Sequence, residues 1–258
     1  MRLRELTGED QAFLVEEAGR MLPARWTTEL LHRCAYRADT GEPTPYDWLR
    51  SRTVGERDAL VMELRRLSAG DRLQCVLDCP AENCRAKLDL ELQVTDLLVP
   101  PGDVRREVHE AQVSESGKEW HVRFRLPTGG DQEAAAELAR EDLDAAVDLL
   151  LDRLVESTGE LPEAVRCQLP QIMSQFDPQA EINLRVTCCA CGGAFDVLFD
   201  PCDYFRQELT AESRRFFHEV HLLAFHYHWS LADILRMSTG SRKRFLRLLE
   251  EELGIGAA

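Results

Sequence analysis

The segment "RLQCVLDCPAENCRAKLDLELQV" fills residues 72–94, and "INLRVTCCACGGAFDVLFD" fills residues 182–200. In the first, Leu73, Cys75 and Leu77 alternate with Gln74, Val76 and Asp78. Leu88, Leu90, Leu92 and Val94 then alternate with Asp89, Glu91 and Gln93. A period of two marks a strand with one buried face. In the second segment Ile182, Leu184 and Val186, then Phe195, Val197 and Phe199, repeat the pattern on either side of a cysteine turn. Each frame is strand, two cysteines, strand. Two such turns, each giving two thiolates, supply one tetrahedral site that neither could close alone. The spacing predicts one structural zinc per chain, held by Cys79, Cys84, Cys188 and Cys191.

The match between the frames is imperfect. Cys79 and Cys84 stand further apart than Cys188 and Cys191, and Gly192, where a left-handed turn costs little, has no glycine counterpart in the first frame. Cys189 competes with Cys188 as a ligand. Two other readings of the cysteines are buried thiols without metal and a redox pair at Cys188 and Cys191, although the latter lacks a βαβ setting. Aligning the frames puts Cys75 opposite Leu184, a core position. Cys34 and Cys167 fall within helical pattern and are assigned to the core, as is Cys202.

Outward from these frames the chain reads as α+β, a zinc-ribbon-like β core split by a long insertion, with helical N- and C-terminal regions. The expected divisions are 1–70 (helical), 71–128 (first knuckle, strands and hairpin), 129–176 (inserted helices), 177–206 (second knuckle) and 207–258 (helical). Thr7 with Asp10 forms a capping box for "LTGEDQAFLVEEAGRML", and Gly70 ends the helix "TVGERDALVMELRRLSAGD". "REVHEAQVSESGKEWHVRFRL" (106–126) predicts a hairpin, and 128–158 one strong helical stretch opened by Thr128 and Asp131. Gly129 and Gly130 lack the lysine and hydroxyl of a phosphate loop, so a helix cap is the reading.

The chain has 258 residues, 44% hydrophobic and 30% charged, with a net charge of −15. That composition describes a globular protein, and the acidity opposes non-specific binding to nucleic acid or anionic membrane. No apolar run has the length of a membrane span and the N-terminus lacks a signal-peptide pattern, so the expected compartment is the bacterial cytoplasm. Nine cysteines in that setting point to thiolates and metal rather than disulfides.

"FFHEVHLLAFHYHW" places His218, His221, His226 and His228 close together, but not at the one-turn spacing of a protease zinc helix. Its apolar residues, Phe216, Val220, Leu223 and Tyr227 on one stripe and Phe217, Ala224 and Phe225 on another, predict a helix buried on most sides. Near the C-terminus Ser230 and Asp233 form a capping box, Ser241 is the expected cap of the last helix, and Arg242, Lys243, Arg244 and Arg247 make a dense basic patch.

Several stretches together, "LTGEDQAFL", the two cysteine frames, "RFRLPTGGD" and "HEVHLLAFHYHWSLADILRM", resemble the zinc-knuckle proteins encoded beside the structural genes of phage-tail-like contractile injection systems. Those are similar to baseplate hub assembly proteins of contractile-tailed phages of the T-even type. The resemblance implies a non-enzymatic role in baseplate or hub assembly, with baseplate or hub proteins as partners, no small-molecule substrate, and incorporation in the particle as one outcome. It carries the zinc-ligand role to Cys79, Cys84, Cys188 and Cys191. Cys189 stands where a proline is usual, and Arg85 where a glycine is expected. The second reading is a zinc-ribbon, helix-turn-helix regulator that binds nucleic acid; the third is a metal-dependent hydrolase.

Overall fold

Two sequence repeats set the frame, because each fixes a helix start by chemistry rather than by packing. Arg4, Thr7, Gly8 and Asp10 recur at identical spacing as Arg125, Thr128, Gly129 and Asp131. In the computed structural model, which describes residues 1–100, 108–156 and 161–254, both stretches build the same corner. The Thr7 hydroxyl caps the helix Gly8–Glu17, and Asp10 answers the Thr7 N–H at 2.9 Å. Thr128 and Asp131 do the same for the helix Gly129–Ala136, at 3.0 Å. Arg4 clamps Asp10 at 2.5 and 3.2 Å, and Arg125 clamps Asp131 at 2.5 and 2.9 Å. A second arginine reaches each carboxylate, Arg33 at 3.6 Å and Arg153 at 2.9 Å. Burial disfavours both charges, but the hydrogen bonds from the arginines and threonines outweigh it and hold both carboxyls below their usual range.

Each corner pairs with a second helix start. Thr7 bridges to Ser238, with Gly8 N–H donating to Met237 O and Thr239 N–H to Leu6 O. Thr128 bridges to Thr53, with Gly129 N–H donating to Arg52 O and Val54 N–H to Pro127 O. Two helix N-termini, Gly8–Glu17 with Thr239–Leu253 and Gly129–Ala136 with Val54–Ala69, thereby satisfy each other's orphan backbone groups. The glycine is a steric need at Gly129, where a Cβ would fall 1.4 Å from an Arg57 guanidinium nitrogen.

The chain divides into two units, Met1–Tyr46 with Leu60–Arg72 and Pro201–Ala258, and Asp47–Ala59 with Leu73–Asp200. In the first unit Trp26 is buried and its indole N–H donates to Leu14 O at 3.1 Å. Its C-terminal helices pack Phe216, Val220, Leu223, Ile234 and Leu246 together. Buried Arg65 pairs with Glu208 at 2.7 Å.

The second unit is built around a three-stranded sheet, His109–Glu115, Lys118–Phe124 and Val155–Glu156, the first two being antiparallel with Glu115 opposite Lys118. The hairpin turns through Ser116 and Gly117, both at positive φ, which matches the twist of the strands. Phe124, Leu126, Leu154, Val165 and Leu169 form the core on that sheet. Asp177 accepts from Gly55 N–H at 2.9 Å.

Helices and small sheets together make the fold α+β, as expected. The two cysteine frames form separate two-stranded sheets, Arg72–Asp78 with Lys87–Gln93 and Ile182–Thr187 with Ala194–Phe199; no shared sheet joins them among the described residues. The single helical stretch expected over 128–158 is broken. The helix Gly129–Ala136 passes into a 3-10 turn, Leu138–Arg140, and Asp142 then caps a new helix, Leu143–Leu154, by accepting from Ala145 N–H at 3.0 Å. A short acidic side chain that can bond the backbone two or three residues ahead starts a helix more readily than it continues one. Ser238, not Ser241, caps the last helix, and Ser241 N–H is the donor to it. Residues 106–107 of the expected hairpin, 157–158 of the helical stretch and 255–258 of the C-terminal region lie outside the described residues. No described helix is long and apolar enough to cross a membrane.

Candidate metal centre

The two cysteine turns share a backbone design. In the first, Cys79 N–H donates to Ala86 O and Cys84 N–H to Ala81 O, both at 2.9 Å. In the second, Cys188 N–H donates to Gly193 O and Gly192 N–H to Cys188 O, also both at 2.9 Å. Each turn needs a left-handed residue right after its second cysteine, Arg85 with φ 48° and Gly192 with φ 73°. The arginine that stands where a glycine is expected thus adopts the glycine conformation, at a cost of roughly 1–2 kcal/mol.

The structure brings the sulfurs of Cys79, Cys84, Cys188 and Cys191 within 4.8 Å of one another. Cys79 Sγ lies 3.8 Å from Cys191 Sγ, and Cys84 Sγ lies 3.7 Å from Cys188 Sγ. These separations are far beyond a disulfide bond of about 2.05 Å. They equal the edge of a tetrahedron around a zinc ion, since Zn–S bonds of about 2.3 Å place the sulfurs roughly 3.8 Å apart. The four residues could therefore bind a metal ion. Cys189 is exposed and outside the cluster, so the group contains Cys188 and not its neighbour.

Apolar residues close the base of the cluster. Cys79 and Cys188 are buried, and Leu88, Ala86 and Phe195 pack against them. The N–H groups of Cys191 and Ala190 point at Cys188 and bring its thiol down to about 6. At Cys79 the N–H of Ala81 favours the thiolate, but burial and the sulfurs of Cys188, Cys191 and Cys84 outweigh it and push the thiol up to about 12. One negative charge is accommodated and further charges are resisted. All four could ionise together only with a cation among them.

The remaining cysteines divide. Cys34 is buried, as expected, and burial pushes its thiol up to about 12. Cys75 and Cys202 are half-buried. Cys167 is exposed, not core, with its thiol 3.3 Å from Glu163, because it lies just past the short helix Glu163–Arg166 on the side away from Val165.

The histidine-rich segment forms the helix Ser213–Tyr227, but it is not buried on most sides. Phe216, Val220 and Leu223 face the core, whereas Phe217 is 48% and Phe225 64% exposed. On its second apolar stripe Ala224 packs against the core, while the rings of Phe217 and Phe225 stay largely in solvent. Among the described residues the four cysteines are the one group of three or more side chains placed to hold a metal. The basic patch also differs from expectation. Arg242 is buried at 1% exposure, with its guanidinium bonded to Gln11 and over the Phe216 ring, leaving Lys243, Arg244 and Arg247 at the surface. An arginine withdrawn into the core cannot read a nucleic acid.

A family model described as T4 bacteriophage base plate protein matches residues 2–206, which include both cysteine turns and both Thr-Gly-x-Asp corners. No curated protein and no solved structure matches the chain.

Proposed function

Because the chain belongs to the T4 bacteriophage base plate protein family, we propose that it is a non-enzymatic structural or assembly factor for the baseplate or hub of a phage-tail-like contractile particle. The family match over residues 2–206 carries this reading. Its partners are baseplate or hub proteins; it acts in the bacterial cytoplasm during assembly, or as part of the particle. Cys79, Cys84, Cys188 and Cys191 hold one zinc ion, a zinc-ribbon-like clamp between residues 79–84 and 188–191. Sulfur separations of 3.7 and 3.8 Å support it. When bound, the ion offsets part of the thiolates' negative charge and cross-links two distant turns; with four protein ligands it keeps no open position for catalysis.

Two experiments test the two halves of the proposal. Elemental analysis of protein purified without chelator is expected to give one zinc per chain, and finding none would remove the clamp. Electron microscopy of a deletion strain is expected to find no complete contractile particles, with complementation by the wild-type chain restoring them. Normal, firing particles in that strain would overturn the assembly role.

A further inference from the structure

The last two long helices, Ser213–Tyr227 and Thr239–Leu253, lie beyond the family match and enclose a groove of about 870 Å³. Leu246, Leu249 and Leu253 recur at helical spacing along one wall, and Leu222 faces them from the other helix. Leu246 and Leu249 are buried at its base and Leu253 is 46% exposed, so the apolar floor opens to solvent at its Leu253 end. Lys243, Arg244 and Arg247 line the rim, all exposed and none within ion-pair distance of a described carboxylate. Across from them Arg215 pairs with Glu219 at 3.3 Å, and Glu250 is the other acid of the lining. An apolar floor with a row of cations along its edge selects a helix with an apolar stripe flanked by acids.

The same chain displays such a helix. On Leu143–Leu154, Leu143 is 67% and Val147 41% exposed, one turn apart on one face. Asp144 and Asp148 follow each of them in sequence and are exposed alongside. Asp148 shares Arg166 with Asp152, and Asp144 has no cation partner among the described residues. In its unit this is the one described helix of eight or more residues presenting two large exposed apolar side chains.

We propose that this protein associates with a second copy of itself, the helix Leu143–Leu154 of one chain seating in the groove between Ser213–Tyr227 and Thr239–Leu253 of the next. Leu143 and Val147 meet the leucine floor, and Asp144 and Asp148 meet Lys243 and Arg247. The contact is heterologous, so each open assembly keeps one free groove at one end and one free ridge at the other, and growth continues until a ring closes or the ends remain. A single helix in a groove buries less than about 1,200 Å², the size class of weak and transient contacts, so association is sought at high protein concentration. The inference goes beyond the baseplate reading and does not rest on it.

Mixing two variants tests it. The groove variant carries Lys243→Glu with Arg247→Glu, and the ridge variant Leu143→Ser with Val147→Ser; all four positions are exposed, and equal melting curves verify folding. By sedimentation equilibrium in reductant, the wild type is expected to exceed the mass of one chain as concentration rises through ~100 µM. Each variant alone is expected to need at least tenfold more protein. Their mixture is expected to form one-to-one dimers and nothing larger, because it retains a single intact groove and a single intact ridge. A wild type that stays a single chain overturns the proposal, as does association unchanged in either variant or a mixture that remains monomeric. A monomeric wild type whose groove variant loses capture of a foreign acidic protein also overturns it, and assigns the groove to that partner. Particle assembly in the deletion strain reports on the baseplate role separately.

Discussion

The corners at Thr7 and Thr128 use the same letters and nearly the same hydrogen bonds, yet their units are reinforced differently. Asp10 shares its charge between Arg4 and Arg33, and its unit closes on the aromatic helix and the buried Arg242. Asp131 has its two arginines at 2.5 and 2.9 Å, and its unit also contains the thiol cluster. A local capping motif with one clamping arginine can serve two cores, but it does not say what else a core needs. The unit holding the cysteine turns carries those turns on two-stranded sheets with exposed faces, among them Val76 at 61% and Leu198 at 62%. Such ribbons are marginal alone, and a metal held by the four cysteines at their tips would supply what burial does not.

The largest expected effect separates the units. Removing metal, by chelation or by Cys188→Ser, forfeits binding energy on the order of 10 kcal/mol where the site is filled. Hydrogen exchange is expected to lose protection across 73–94 and 182–199 while Gly8 and Thr239 keep theirs. Loss of protection at all four places would show that the two units unfold as one.

Breaking the corners is expected to cost less and similarly in both. Asp131→Asn and Asp10→Asn each remove a buried carboxylate whose arginine partners are 27–44% exposed, so the loss is that of screened, charge-assisted hydrogen bonds, at about 3 kcal/mol, read from denaturant midpoints. The sign with pH follows from the depressed carboxyls. Their stabilisation is complete above the unfolded value near ~3.9 and is lost as pH falls through the lower folded values. Each variant is expected to have a shallower acid limb than the wild type, and an unchanged limb would exclude that carboxylate as a source of acid lability.

On the aromatic helix, Phe216→Ala is expected to cost roughly 3–5 kcal/mol, as for a buried ring. Phe217→Ala is expected to stay within about 0.5 kcal/mol, since its ring is half exposed. Thermal melts of the pair distinguish an amphipathic helix from one buried all round.

The smallest effect compares the two cysteine turns. Arg85→Gly is expected to stabilise by about 1 kcal/mol, and Gly192→Ala to destabilise by a similar amount, because both positions have left-handed backbone. Zinc-loaded melting temperatures should move in opposite directions.

The alternating strands, the four metal-spaced cysteines, the caps at Thr7, Thr128 and Ser230 and the helix stop at Gly70 were legible in the sequence. Each depends on neighbours within a few residues or on a period that letters display. Three features were not legible. Arg242 looks like part of a surface patch until Gln11 and Phe216, more than 20 residues away, enclose it. Phe217 and Phe225 look like core because hydrophobicity alone does not say which stripe meets a partner. The repeated Arg-x-x-Thr-Gly-x-Asp can be read as two caps, but its pairing with Ser238 and with Thr53 cannot. Local chemistry determined which segments start, turn and could hold a metal. Tertiary structure decided which distant backbone groups satisfy one another and which charged and apolar side chains water still reaches, because burial belongs to the packed chain and not to any residue by itself.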